Sequence, residues 1–428
     1  MATGKFSYYE SDEVSDAVMD LLDDGNVEDA LRLAEEGLKQ HPNDETAEKL
    51  VIWMYIHNNR IEEADKLFEK YKNDETESTI RLRFSLAALH GHPKQALDSF
   101  FLALKSEKIE LTEWVNTIDD MFESLPHTLL APYLVRVAAL AGTDCDSIAR
   151  LGGLIMDCHQ YREAAEVLEK ALDINAYDIY CWQDLARCYL ELADFDRCLD
   201  ACTYGIAIDE KNPLLNFLSG FINYQKKNYR EAIAQLDVMR QFAEGRLKTD
   251  LHHVPLDNLH YQITITYEFL GFAYLEIEEL DKSVECFEIL SEREPDKTYI
   301  WIQLASLFLL KGDSPKAEEY IIKALETNPK DTSAIAMSVS ILTTMQRFDD
   351  ALLGLKKLIR LKPHNANYKL ACAELLFHLG RKEEADALFR KLLNSKPKRR
   401  FILEALHLYF SSIDDADALN QLEDLNRK

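Results

Sequence analysis

A small side chain returns every 34 positions along most of this 428-residue chain. Ala164 in YREAAEVLEKAL, Cys198 in FDRCLDACTYGI and Ala232 in YREAIAQLDVM are 34 residues apart, and the spacing resumes through Ser283, Ala317, Ala351 and Ala385. Near the N-terminus Ala30 and Ala64 keep the same step, with Ala96 following at 32. A fixed period of this length points to stacked supersecondary units rather than one globular core. Each unit contains two apolar runs at helical spacing, the first ending near Gly, Asn or Lys and the second near Pro, which cannot continue a helix. The unit therefore reads as two antiparallel helices. The recurrent small residue marks the place where their axes cross at close range, and larger Leu, Phe and Tyr side chains fill the space around it. One such pair cannot bury its apolar face alone, so neighbouring pairs must stack.

The best-matched unit, residues 298–331, carries Trp301, Leu304, Ala305, Phe308, Gly312, Ala317, Ala324 and Pro329. Leu270, Gly271, Tyr274, Phe287 and Pro295 match in the preceding unit, and Trp182, Leu185, Ala186 and Tyr189 in the one beginning at Ile179. In these positions the chain resembles the tetratricopeptide repeat family. The resemblance implies an all-α, right-handed superhelical α-α solenoid of about ten helix pairs with C-terminal capping helices. It also implies a scaffold or adaptor for protein–protein interaction that holds a partner polypeptide in its concave groove.

The spacing divides the chain into N-terminal repeats (1–110), a degenerate helix pair (111–144), central repeats (145–242), an insertion (243–263), C-terminal repeats (264–399) and capping helices (400–428). The insertion follows from the 51 residues between Ala232 and Ser283, which is 17 more than the period. It holds Asp250, His252, His253, Asp257 and His260, the one cluster of metal-ligand types. An added segment on a solenoid is expected to be a loop or a helix extension on one edge, and HHVPLDNLH lacks the HExxH spacing of a helical metal pair, so a solvated loop with no metal and no cofactor is the default.

The formal charge of −26 is concentrated in residues 1–300, which carry 29 basic and 58 acidic side chains, whereas residues 301–428 carry 20 and 17. Such a surface repels a phosphate backbone, so nucleic acid is not the expected partner. A basic or mixed-charge polypeptide fits better. Lys396, Lys398, Arg399 and Arg400 read as a surface loop between helices. The eight cysteines form no CxxC pair and read as free thiols of a reducing compartment. No run is long and apolar enough for a membrane span, and MATGKFSYYESDEVS lacks the pattern of a secretory leader; a cytoplasmic location is expected. No GxSxG, phosphate-binding Gly-rich loop or HExxH occurs, so no catalytic residue is assigned and no enzymatic activity is expected.

In the family, the ligand-facing places are the second, fifth, sixth, ninth and twelfth of each first helix. That frame, carried over from the resemblance, selects Arg150; Tyr180, Gln183 and Arg187; Phe217, Phe221 and Tyr224; Glu268, Phe269 and Phe272; and Tyr299 and Gln303. Aromatic and Arg side chains are common anchors of protein interfaces. Some family members grip the acidic tail of large heat-shock chaperones with a Lys–Asn, Asn, Lys–Arg set. Here the fifth and ninth places include Lys49 and Trp53, Arg81 and Ser85, and Gln183 and Arg187, so that clamp is absent. Arg150 and Arg187 remain able to hold one acidic group through their guanidinium forks. The alternatives are a self-assembling structural subunit, its acidic N-terminal part docking on the C-terminal part of another copy, or a regulatory subunit of an enzyme.

Overall fold

The structure, a computed structural model, describes residues 13–42, 44–248 and 256–426. Among them lie 24 α-helices, two single-turn 3-10 segments (Glu69–Tyr71 and Phe122–Ser124) and no strand. The chain divides into two compact units, Met1–Ser219 and Gly220–Lys428.

Unit 1 is built from successive pairs: α1 (Glu13–Asp23) with α2 (Val27–Gln40), α3 (Glu45–His57) with α4 (Ile61–Phe68), and α5 (Glu77–Leu89) with α6 (Pro93–Lys105). There follow α7 (Leu111–Asp120) with α8 (His127–Ala138), α9 (Cys145–Asp157) with α10 (Tyr161–Ile174), and α11 (Ile179–Glu191) with α12 (Phe195–Ile208). The boundary between units falls within α13 (Pro213–Gln225), which is followed by α14 (Tyr229–Lys248). Unit 2 continues with α15 (Leu256–Glu276) and α16 (Leu280–Arg293), α17 (Thr298–Leu310) and α18 (Ser314–Thr327), and α19 (Thr332–Thr344) and α20 (Phe348–Leu361). It ends with α21 (Ala366–His378) and α22 (Lys382–Asn394), then α23 (Arg400–Ser412) and α24 (Ala416–Asn426). Each unit is thus an all-α stack of helix pairs, the solenoid architecture that the period demands.

The phased small residues explain how a pair closes. Ala30, Ala64, Ala164, Cys198, Ala232, Ser283, Ala317, Ala351 and Ala385 are all fully buried. Where the position is not Ala, its extra polar atom finds an acceptor on the facing helix. Ser283 Oγ donates to the Gly271 carbonyl at 2.7 Å, and Cys198 Sγ to the Ala186 carbonyl at 3.1 Å. Both carbonyls belong to the eighth-place residue of a first helix or its equivalent, and both bonds span 12 residues. At Gly271 the approach leaves no room for a side chain, because a Cβ there would meet Phe287 Cε2 at 2.8 Å.

Tight turns within pairs share one backbone device. A residue in the left-handed region ends the first helix: Gly25, Asn59, Gly91, His159, Ala193, Lys227, Glu278, Gly312, Gln346, Gly380 and Asp414 all have positive φ. The next backbone N–H then reaches back five residues, as from Asp313 to the Phe308 carbonyl at 2.9 Å and from Asp194 to Tyr189 at 2.9 Å. Asp313 and Asp194 also cap the second helix, accepting from Lys316 N and Arg197 N at 3.2 Å. Two tryptophans hold the entry to first helices in the same manner, Trp182 Nε1 donating to the Ala176 carbonyl at 2.9 Å and Trp301 Nε1 to Pro295 at 2.8 Å.

Of the two forms expected for the insertion, the structure takes the helix extension rather than the solvated loop: the surplus residues lengthen two helices to 20 and 21 residues, with helix over 243–248 and 256–263. The physical reason is that these extensions carry their own core: Ala243 and Ile263 are buried, and the Tyr267 hydroxyl donates to Glu244, which also pairs with Arg240 at 3.2 Å. Asp250, His252 and His253 lie outside the described residues, and Asp257 and His260 are described as backbone of α15 only.

The left-handed turn positions give a direct test. Ala193 and Gly312 occupy the same turn at φ 56° and 79°, and the space around Gly312 is open. A side chain in this conformation costs about 1–2 kcal/mol. Ala193→Gly therefore raises stability by about 1 kcal/mol and Gly312→Ala lowers it by a similar amount, measured by urea denaturation followed by circular dichroism.

Candidate partner-binding faces

In unit 1 the frame positions Arg150, Tyr180, Gln183, Arg187 and Phe217 fall on α9, α11 and α13, and none is buried. Tyr180 is the most open, at 74% exposure. Leu151, Cys181, Leu185 and Cys188 alternate with them and form the core of the stack.

The charged groups of this face largely satisfy one another. Arg150 donates one terminal nitrogen to Asn116 Oδ1 and the other to Asp119 Oδ2 at 2.8 Å, tying α9 to α7. Arg187 approaches Asp184 at 3.4 Å on its own helix. Thus Arg150 and Arg187 do not stand as an open carboxylate fork, because the neighbouring pair already occupies the first of them. The cations at the clamp places are structural as well. Lys49 is buried, with its Nζ 2.6 Å from Glu45, 3.1 Å from Asp74, 3.0 Å from Thr76 and 3.1 Å from Ser78. Arg81 is also buried, with its Nε 2.7 Å from Thr117 Oγ1 and its guanidinium on Glu113. A buried charge must be paired in this way.

What the cations leave behind is a recessed row of carboxyls. Burial pushes Asp120 up to about 7, against the opposing pull of the Arg81 guanidinium and helped by Asp119. Burial likewise raises Asp184 above the usual carboxylate range, the Arg187 guanidinium opposing. Asp157, although exposed as a whole residue, is also raised, first by the desolvation that surrounding groups impose and then by the charge of Asp119, the Arg187 guanidinium opposing. Desolvated carboxyls of this kind are suited to pair with a cationic side chain brought by a partner.

In unit 2, Phe221, Tyr224, Glu268, Phe269, Phe272, Tyr299 and Gln303 are all half-buried on α13, α15 and α17. Phe269 stands 5.3 Å from both Phe221 and Tyr224, ring centre to ring centre, so the fold brings these three together. Tyr299 is pushed up to about 12, first by burial and then by the charge of Glu268 beside it. Phe272 has a different place: its ring meets the fully buried Phe287 edge-on at 5.1 Å, which makes it the margin of the core. Beyond Gln303, Phe377, Phe401 and Leu408 occupy twelfth, second and ninth places of α21 and α23, two and three pairs past α17 in the same frame, and are exposed.

All eight cysteines are free and seven are buried; burial pushes Cys158 up to about 11 and Cys188 and Cys286 up to about 12, which keeps them as thiols. Among the described residues no His, Cys, Asp or Glu group is arranged to hold a metal ion, and no helix is long and apolar enough to cross a membrane.

Models of the tetratricopeptide repeat match residues 21–124, 157–203, 298–331 and 342–405. The chain belongs to the tetratricopeptide repeat family. Among its curated relatives, human tetratricopeptide repeat protein 21A is 23% identical over 274 residues, covering 61% of this chain and 20% of that protein. The bovine BBSome complex member BBS4 is 23% identical over 224 residues, covering 52% of this chain and 33% of that one. This tetratricopeptide chain therefore spans about one fifth to one third of the length of those relatives. Among solved structures, the C-terminal part of a TPR repeat-containing protein from Cytophaga hutchinsonii aligns with a TM-score of 0.46 at 17% identity, covering 60% of this chain and 99% of that one. YrrB, a TPR protein described as having an unusual peptide-binding site, aligns at 0.39 and 16% identity, covering 51% and 99%. Membership in this family makes the chain a protein-interaction scaffold in the general sense.

The recessed Asp120 predicts a pH signature. Its pKa is higher folded than unfolded, so the contribution that favours folding is full below about pH 4 and is lost as pH rises through about 7. Asp120→Asn removes the charge that is costly to bury. It is expected to raise the melting temperature at pH 8 and to change it little at pH 4. An equal shift at both values would overturn the assignment.

Proposed function

We propose that this tetratricopeptide scaffold binds a partner polypeptide on the first-helix face of each unit, using the positions from Arg150 to Phe217 in unit 1 and from Phe221 to Gln303 in unit 2. The single observation that carries the reading is the sorting of burial along those helices. All twelve frame positions reach the surface, while residues interleaved with them, such as Leu185, Ile222, Leu270, Ala273, Ile300 and Leu304, are buried. A surface of half-buried aromatic rings offers large contact area at small entropic cost. The cluster of Phe221, Tyr224 and Phe269 is its anchor in unit 2. In unit 1 the row of Asp120, Asp157 and Asp184 favours a basic stretch of the partner, in keeping with the excess of acidic side chains over residues 1–300.

The test is replacement of Phe217, Phe221 and Phe269 together by Ser in the full chain, followed by affinity capture from cell extract. Proteins retained by the native chain are expected to be lost, with helical content unchanged. Because these rings are only half-buried, the expected stability loss is about 1–3 kcal/mol in total rather than the 3–5 typical of one core Phe. Retention of the same proteins by a folded triple variant would remove this face from the binding surface.

A further inference from the structure

The eleventh place of the first helix holds a large side chain in most pairs, among them Tyr55, Tyr189, Tyr274 and Phe308, but in α5 it holds Ala87. A ring at this place faces the preceding pair: Tyr55 donates its hydroxyl to Glu35 of α2 at 3.0 Å, and Tyr189 donates to Glu169 of α10. In residues 298–331 three rings fill the same edge. Phe308 and Trp301, the eleventh and fourth places, stack on Tyr320, the twenty-third, at 5.3 and 6.1 Å between ring centres. The corresponding residues of the third pair are Ala87, Ile80 and Ser99. This edge of α5 and α6 therefore lacks the rings that its counterpart supplies for itself.

The preceding pair does not make up the loss. Its second helix, α4, ends after 8 residues, against 14 in α2 and 13 in α6. The 3-10 segment that follows is pinned to α3 instead. The Tyr71 hydroxyl donates to the buried Glu48, which Lys70 also reaches at 2.8 Å, and Asp74 accepts from the buried Lys49 at 3.1 Å. The result is a hollow of about 380 Å³ between α5 and α6, with no residue of α4 in its walls. That is within the range of about 300–1,000 Å³ common among ligand sites. Ile80, Phe84, Ala87, Ala96, Phe100 and Ala103 line it, and the Phe84 and Phe100 rings stack with centres 4.3 Å apart. Leu102, also in the wall, is 63% exposed. The wall's Lys and Arg are already engaged: Lys108 Nζ lies 2.6 Å from Glu75, and Arg83 donates to the carbonyls of Lys72, at 3.2 Å, and Asp74. They call for no charged occupant, whereas the bare apolar wall forfeits packing contacts until something apolar fills it.

We propose that this hollow receives an aromatic side chain of a partner protein, seated against Phe84 and Phe100 in the place that the chain's own rings take in residues 298–331. A ring so placed gains large apolar contact and the edge and face attractions between aromatic groups. The site is independent of the first-helix surface proposed above. Ile80, Arg83, Phe84 and Ala87 are the fourth, seventh, eighth and eleventh places of α5, and none belongs to the ligand-facing set.

The test is to fill the hollow from within. Ala87→Phe and, separately, Ser99→Tyr introduce the rings found at these places in residues 298–331, and each is expected to raise the melting temperature of the full chain. The native chain, immobilised, is used to select from a displayed library of random 12-residue peptides, with Ala87→Phe protein for counter-selection. Enriched sequences are expected to share a Trp, Tyr or Phe. A synthetic peptide of the leading sequence should bind about tenfold more weakly to either filled variant, and lose as much when its own ring is replaced by Ala. It should bind equally well to the chain with Phe217, Phe221 and Phe269 replaced by Ser, and be displaced by N-acetyltryptophanamide but not by N-acetylleucinamide. Enrichment of sequences without an aromatic residue, or binding indifferent to both filled variants, would overturn the proposal. So would binding of N-acetyltryptophanamide with no peptide enriched, which would assign the hollow to a free small molecule. If both filled variants melt below the native chain, the hollow has no room for a ring and the proposal fails.

Discussion

The close crossing of two helices within each pair is the contact on which every other feature of this protein depends. At that crossing a residue no larger than Ala, Ser or Cys faces the backbone of the first helix, and in unit 2 even a single methyl at Gly271 would strike Phe287. Interiors are packed too densely for such a clash to be absorbed without shifting an element. The crossing fixes how each helix is rotated about its axis. Once the rotation is set, one stripe of the first helix faces its partner, a second faces the next pair, and the remainder must face outward. Surface positions are therefore a by-product of the core, and the binding faces inherit their register from it.

The same geometry sorts the charges. Lys49 and Arg81, buried on first helices near the junction of two pairs, must be paired, and both find oxygen ligands on or before the next first helix; the half-buried Arg150 reaches back to the preceding one. These ties add little net free energy beyond the desolvation they offset. Their effect is to fix how neighbouring pairs meet. With its cations occupied in this way, the unit 1 face keeps half-buried carboxyls, and burial raises Asp120 and Asp184 above the usual carboxylate range.

Repeat period and small-residue phase were legible in the sequence because they express the crossing itself, which is local to a 34-residue unit. The roles of Trp182 and Trp301 at equivalent places were visible in the same manner, although their shared hydrogen bond to a preceding carbonyl was not. What escaped was whatever depends on a neighbour distant in sequence. Arg150 looked like a free guanidinium because its ligands, Asn116 and Asp119, lie 34 and 31 residues earlier, in a segment whose motif residues are missing. The insertion left loop and helix extension open in the sequence because its polar centre hid the two helical extensions that bury Ala243 and Ile263. Phe377, Phe401 and Leu408 were within reach of the frame, but only burial separates an exposed ring from one in the core.

Net charge is a poor guide to what such a chain can bind, and the contrast between its overall charge of −26 and the +9 of residues 356–400 shows why. At physiological ionic strength the screening length is about 8 Å, less than the span of one helix pair. A docking segment therefore responds to the few charges within a turn or two of its own contacts. The total governs how fast partners approach and whether copies of the chain repel one another. In an array of similar pairs, charge can be reassigned pair by pair without disturbing the crossing that holds each pair together, since the crossing is made by small uncharged residues. One scaffold can thus vary its surface charge from pair to pair while its architecture stays uniform.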